Sequence, residues 1–164
     1  MNRSPLHKPV HKQVKVLIPI LLAALILTFS ASCTTDYCFE ETNAYLKASF
    51  YLESTGKVHA PDSLSLYGSG HDSLIYKKEP DVTMAFLPLN ASADSCRFIF
   101  KINGISDTVA FIYSSYPHLI SKVCGYTFYH KIETPRYTGN IIDTITIRQN
   151  TITTDNEENI LIYY

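Results

Sequence analysis

Ser95-Cys96-Arg97-Phe98-Ile99-Phe100-Lys101-Ile102, followed by Asn103-Gly104, is the stretch that decides the fold. Cys96, Phe98, Phe100 and Ile102 fall on one face and Ser95, Arg97, Ile99 and Lys101 on the other, the alternation of a strand with one covered side. Asn103 and Gly104 both accept positive φ, so they read as a hairpin turn returning into a strand at Thr108–Tyr113. Upstream, the same period of two runs from Ala44 to Leu52. It sets Leu46, Ala48, Phe50 and Leu52 against Tyr45, Lys47, Ser49 and Tyr51. Short runs at Ser63–Tyr67, Ser73–Tyr76 and Val82–Leu87 are separated by Pro61-Asp62, Gly68-Ser69-Gly70 and Glu79-Pro80-Asp81, and none is long enough for a helix. Downstream come a loop at Ser114–His118 around Pro117, a long strand at Ser121–Ile132, a loop at Glu133–Asn140, a strand at Ile141–Arg148, a polar loop at Gln149–Asn159 and a closing strand at Ile160–Tyr164. About nine short strands without an amphipathic helix predict an all-β, antiparallel, immunoglobulin-like β-sandwich, with a small β-barrel as the alternative.

The N-terminus carries a different signal. Arg3, Lys8, Lys12 and Lys15, with no acid among them, precede the apolar run Val16–Phe29, which holds Pro19 and is 14 residues long. A membrane-spanning helix needs about 20. Ser30-Ala31-Ser32-Cys33 then resembles the lipobox of bacterial lipoproteins, in which small residues before a cysteine admit the signal peptidase and the sulfur takes the lipid. The expected organisation is a lipoprotein signal peptide over 1–32, a lipidated tether over 33–43 beginning at Cys33, and a sandwich domain over 44–164. The implied address is the cell envelope, at the outer membrane, with attachment through the N-terminal lipid and either face of the membrane open.

Four of the 14 basic residues lie in the leader and all 15 acids follow it, so the chain after the leader carries a net charge of about −5. That balance argues against a nucleic-acid partner. Of Cys33, Cys38, Cys96 and Cys124, three remain if Cys33 is acylated, and an oxidising compartment favours one disulfide and one spare thiol. No C-x-x-C motif or paired histidine spacing points to zinc.

The chain resembles a known family at Cys38, Gly70-His71-Asp72-Ser73-Leu74, Pro117-His118, Ser121, Cys124-Gly125, Ile142-Asp143-Thr144-Ile145 and Glu158-Asn159-Ile160-Leu161-Ile162-Tyr163-Tyr164. The family is that of the uncharacterised Bacteroidetes lipoproteins sharing domain of unknown function 6452. The resemblance implies a lipid-anchored envelope protein with no assigned activity and a Cys38–Cys124 disulfide, with Cys96 left as a buried free thiol. Strand alternation by itself keeps Cys96–Cys124 as a rival pairing, since both side chains point inward.

Each candidate site also has a plainer reading. His71-Asp72-Ser73 has the residue types of a hydrolase triad, but neighbours on a strand point to opposite faces. Asp155-Asn156-Glu157-Glu158 has oxygen ligands for calcium but lacks the spacing of a committed loop. Ser63, Ser73, Thr108 and Thr144 each follow an Asp and precede an apolar residue, resembling an O-glycosylation site and equally the start of a strand. Tyr116, Arg136 and Tyr137 lie in the segments read as loops and belong to residue types enriched at binding hot spots. The resulting expectation is a binding or structural module without catalytic machinery, cofactor or metal, whose partner is an envelope protein or glycan. An envelope hydrolase, or an accessory subunit of a glycan- or peptide-processing system, is the competing reading.

Overall fold

The computed structural model describes residues 37–70 and 74–164, and the folded unit is Cys38–Tyr164. The expected signal peptide, Cys33 and the His71-Asp72-Ser73 cluster lie outside the described residues.

The described residues form strands and no helix: β1 Leu46–Leu52, β2 Lys57–Val58, β3 Leu64–Gly68, β4 Leu74–Glu79, β5 Met84–Leu87, β6 Ser95–Ile102, β7 Ile105–Ser121, β8 Gly125–Ile132, β9 Arg136–Tyr137, β10 Thr144–Ile147, β11 Thr151–Ile152 and β12 Ile160–Tyr163. They build two sheets packed as a sandwich. One has the order β10-β12-β1-β2, with β5 also on β1; the other has the order β11-β8-β7-β6-β3-β4, with β9 on β7. The β6–β7 hairpin closes as its sequence demands, with Asn103 at φ 49° and Gly104 at φ 92° between the paired Ile102 and Ile105. A β-carbon at Gly104 would meet no atom, so what glycine supplies there is backbone freedom.

The core lies between the sheets. Leu46, Ala48, Phe50, Ala85, Leu87, Ile160 and Ile162 from one face meet Leu64, Leu66, Phe98, Phe100, Ile102, Val109, Phe111 and Ile132 from the other. Phe50 and Phe100 touch edge to face across it, their centroids 6.4 Å apart. Burial of such side chains contributes about 1.5–3 kcal/mol each and supplies the driving force for folding.

Four features depart from the sequence reading. Pairing is not wholly antiparallel, because the last strand, β12, lies parallel to the first and between β1 and β10. Parallel neighbours need a long crossover, and here the crossover is nearly the whole domain. Ser114–His118 is not a loop but the middle of the 17-residue β7. Pro117 is tolerated because the residues of β7 that bond β8 are the even-numbered ones, as the Glu133 N–H donating to Ile112 O shows, so the missing amide falls on the other edge. The loops Glu133–Asn140 and Gln149–Asn159 each contain a short strand, β9 and β11. Finally, Lys47 and Ser49 are buried rather than solvated. The 149–159 segment closes over β1: Asn159 exchanges backbone and side-chain bonds with Lys47, its amide nitrogen donates to Gln149 O and Thr151 O, and Lys47 Nζ donates to Tyr45 O and Thr153 O. Burial pushes the Lys47 ammonium below its usual pKa.

Cys38 and Cys124 form a disulfide, and Cys96 is free. Cys96 is half-buried at the edge of the core, and burial pushes its thiol up to about 12.

Candidate functional site

The outer face of the larger sheet holds an open cleft of about 570 Å³. Its floor follows from strand register. Arg97 on β6 pairs with Ala110 on β7, and Ala110 pairs with Arg136 on β9, so the three residues form one row across three strands. Strands sit about 4.8 Å apart, which puts the two arginine backbones roughly 10 Å from each other with a methyl group between them. Ser69, Asp94 and Thr134 complete the polar wall. Among the described residues the one salt bridge is Arg148–Glu158, so neither Arg97 nor Arg136 is paired with a described carboxylate. Asp94 accepts a hydrogen bond from Ser95 Oγ at 3.1 Å. The cleft thus presents two guanidinium forks, each able to grip a planar anion through paired N–H donors, beside one acidic acceptor.

The structure separates the three residues read from the sequence as a binding set. Arg136 lines the cleft. Tyr137 pairs with the inward-facing Val109, so it points to the opposite face of the sheet, where its hydroxyl donates to Asp143 O. Tyr116 lies far along β7 and packs edge to face on Tyr129 of β8. Alternation places Arg97 on the polar face of its strand, but nothing in the sequence joins it to Arg136, 39 positions further on.

A nucleophile–base pair also emerges that sequence did not connect. Ser115 and His130 are register partners on β7 and β8, with Ser115 Oγ 2.8 Å from His130 Nδ1. His130 is 3% exposed, packs edge to face on Tyr113, and is pushed below its usual pKa by burial, so the ring is neutral at pH 7. Among the described residues no carboxylate bonds it, and the pair accounts for a buried imidazole by satisfying one ring nitrogen.

A second polar centre holds the chain around the cleft. Asp107 on β7 is buried, and its carboxylate accepts from Thr138 Oγ1 and from the backbone amides of Asn140, Ile141 and Ile142 at 2.7–2.9 Å. Burial pulls its pKa upward, but the hydroxyl and the three amides outweigh it and hold the group below the ordinary carboxylate range. This fastens the segment that follows Arg136 and β9 onto β7.

No three His, Cys, Asp or Glu side chains gather at metal-binding distance among the described residues. In the acidic loop, Glu158 is engaged by Arg148 and by Tyr51 Oη, and Asp155 turns back on Thr153. Of the residues resembling O-glycosylation sites, Thr144 is exposed, Ser63 and Thr108 are half-buried, and Ser73 lies outside the described residues.

Residues 63–164 match the model of a family of unknown function, DUF6452. No curated protein and no solved structure matches the chain.

Proposed function

We propose, from the premise that the chain belongs to the DUF6452 family, that it is a lipid-anchored cell-envelope protein, carried at the outer membrane by an acyl group on Cys33, whose β-sandwich is a non-catalytic binding module. The reading rests on the Arg97–Ala110–Arg136 row, two guanidinium groups without a salt bridge among the described residues, either side of a small residue in an open cleft. Both arginines are exposed and flank the same cleft, and a guanidinium fork binds a carboxylate through paired N–H donors, so the cleft is suited to a carboxylate-bearing ligand. Asp94 adds a place for a ligand N–H or O–H, and the combination is carried by the peptides and acidic sugars of an envelope. A net charge of about −5 after the leader makes nucleic acid an unsuitable partner.

The competing reading, an envelope hydrolase or an accessory subunit of one, draws on Ser115 and His130. The burial of His130 speaks against it, since a general base must reach substrate.

The test pairs two variants. In native cells C33S is expected to accumulate unprocessed or to leave the membrane fraction, because an acyl chain contributes about 0.8 kcal/mol per buried CH₂. A normally processed, membrane-bound C33S protein would refute the anchor. Affinity capture from native membranes with wild type and with R97A/R136A is expected to return a carboxylate-bearing partner that the double variant loses. Undiminished capture refutes the cleft, and turnover of envelope peptides or glycans by the purified protein refutes the non-catalytic reading.

A further inference from the structure

The hairpin of β7 and β8 is longer than the core it covers. Its inward face carries Tyr113 with Ile132 and then Ser115 with the buried His130, and beyond them the same face continues as Pro117–Phe128 and Leu119–Tyr126. The opposing sheet does not reach this far: Phe128 is 47%, Leu119 46% and Tyr126 73% exposed, and Val123 in the turn is 46% exposed. The hairpin itself carries Lys122 and Lys131 and no acid between Asp107 and Glu133, while the tether fastened beside it carries Glu40 and Glu41, so what marks this end is its exposed apolar surface and not a net positive charge.

We propose that the end of this hairpin is a membrane-contact surface and that its partner is the bilayer to which Cys33 is attached; the inference rests on the anchor proposed above. Two fastenings single out the bilayer from other occupants. Cys38 is disulfide-bonded to Cys124 in the hairpin turn, and Thr127 Oγ1 donates to Thr42 O at 2.6 Å, so the tether is held along β8. Cys33 stands five positions before Cys38, at most about 18 Å of fully extended chain. An acyl group on Cys33 therefore keeps the exposed apolar end of the hairpin within one short tether of the headgroups. Tyrosine and phenylalanine rings beside aliphatic side chains and a lysine are the composition that settles at the boundary between headgroups and acyl chains. The contact adds a second attachment to the lipid, orients the sandwich, and leaves the Arg97–Arg136 row, which lies on the outer face toward the other end of β7, open to solvent.

The chain contains no tryptophan, so a single introduced indole reports its own surroundings. The full-length lipidated protein is reconstituted into vesicles of phosphatidylethanolamine and phosphatidylglycerol with brominated acyl chains. Y126W places the indole at the hairpin end, and I105W places it at the opposite end of the same strand, also on an exposed residue. Emission from Y126W is expected to shift to the blue and to be quenched on the order of twofold or more, as for an indole at the acyl boundary. I105W is expected to be unaffected. Vesicle flotation separates the two layers of the argument. Protein that floats with an unquenched Y126W indole overturns the hairpin contact alone, whereas wild-type protein that does not float overturns the anchor and the contact with it. A blue shift that grows with protein concentration in the absence of vesicles would mean that a second copy covers this face, and it too overturns the proposal.

Discussion

Replacing Asp107 tests whether one buried carboxylate holds the edge of the larger sheet together. Its two oxygens accept from Thr138 Oγ1 and from the N–H groups of Asn140, Ile141 and Ile142. A hydrogen bond to a charged group contributes about 1.5–3 kcal/mol against about 0.5–1.5 for a neutral one. D107N keeps one oxygen, and the Thr138 hydroxyl can rotate to accept from the new amide, so the main loss is charge assistance in three amide bonds. That amounts to roughly 3 kcal/mol. D107A removes every acceptor and orphans the amides, and is expected to exceed about 4 kcal/mol, among the largest effects of single substitutions. For a domain of this size 3 kcal/mol corresponds to a fall in Tm of about 10 °C. Urea titration at several pH values checks both magnitude and cause. The folded pKa of Asp107 is depressed, so its stabilisation is complete above the unfolded value of about 3.9 and disappears as pH falls through the folded value. The gap between wild type and D107N should therefore be constant near neutrality and shrink below about pH 4. A gap under about 1 kcal/mol at pH 7, or one that is unchanged in acid, would refute the assignment.

Two further outcomes follow from the same geometry. Removing the Cys38–Cys124 bridge as C38A/C124A opens a loop of sequence separation 86 and should lower stability by up to about 4.6 kcal/mol in the chain-entropy account, read as a shift in the urea midpoint that reducing agent reproduces in wild type. His130 is held neutral by burial with its folded pKa below the unfolded value of about 6.5, so the unfolded chain binds its proton first and stability should decline as pH falls below about 6.5. H130Q should abolish that slope, and a slope retained in the variant would place its origin elsewhere.

Local chemistry made much of this architecture legible. The Cys96-to-Ile102 alternation and the positive-φ pair Asn103-Gly104 set a hairpin that forms from neighbours in sequence, because side-chain period and turn type are properties of a few consecutive residues. The separation of core from surface in β6 and β12 follows from the same period. The Cys38–Cys124 pairing came from family resemblance, since alternation alone left Cys96 a rival for Cys124. What sequence did not contain is which strands lie side by side. Pro117 reads as a chain breaker, yet becomes harmless once pairing puts its missing amide on the edge away from β8. Lys47 reads as part of a solvated face, yet is buried because a segment a hundred residues away closes over it. Arg97 and Arg136, Ser115 and His130, and Asp107 and the amides of 140–142 meet through register alone. Such contacts depend on one particular pairing among many with equally good local patterns. The energy that selects that pairing is the burial of both inner faces at once, a property of the whole sandwich and of no single stretch.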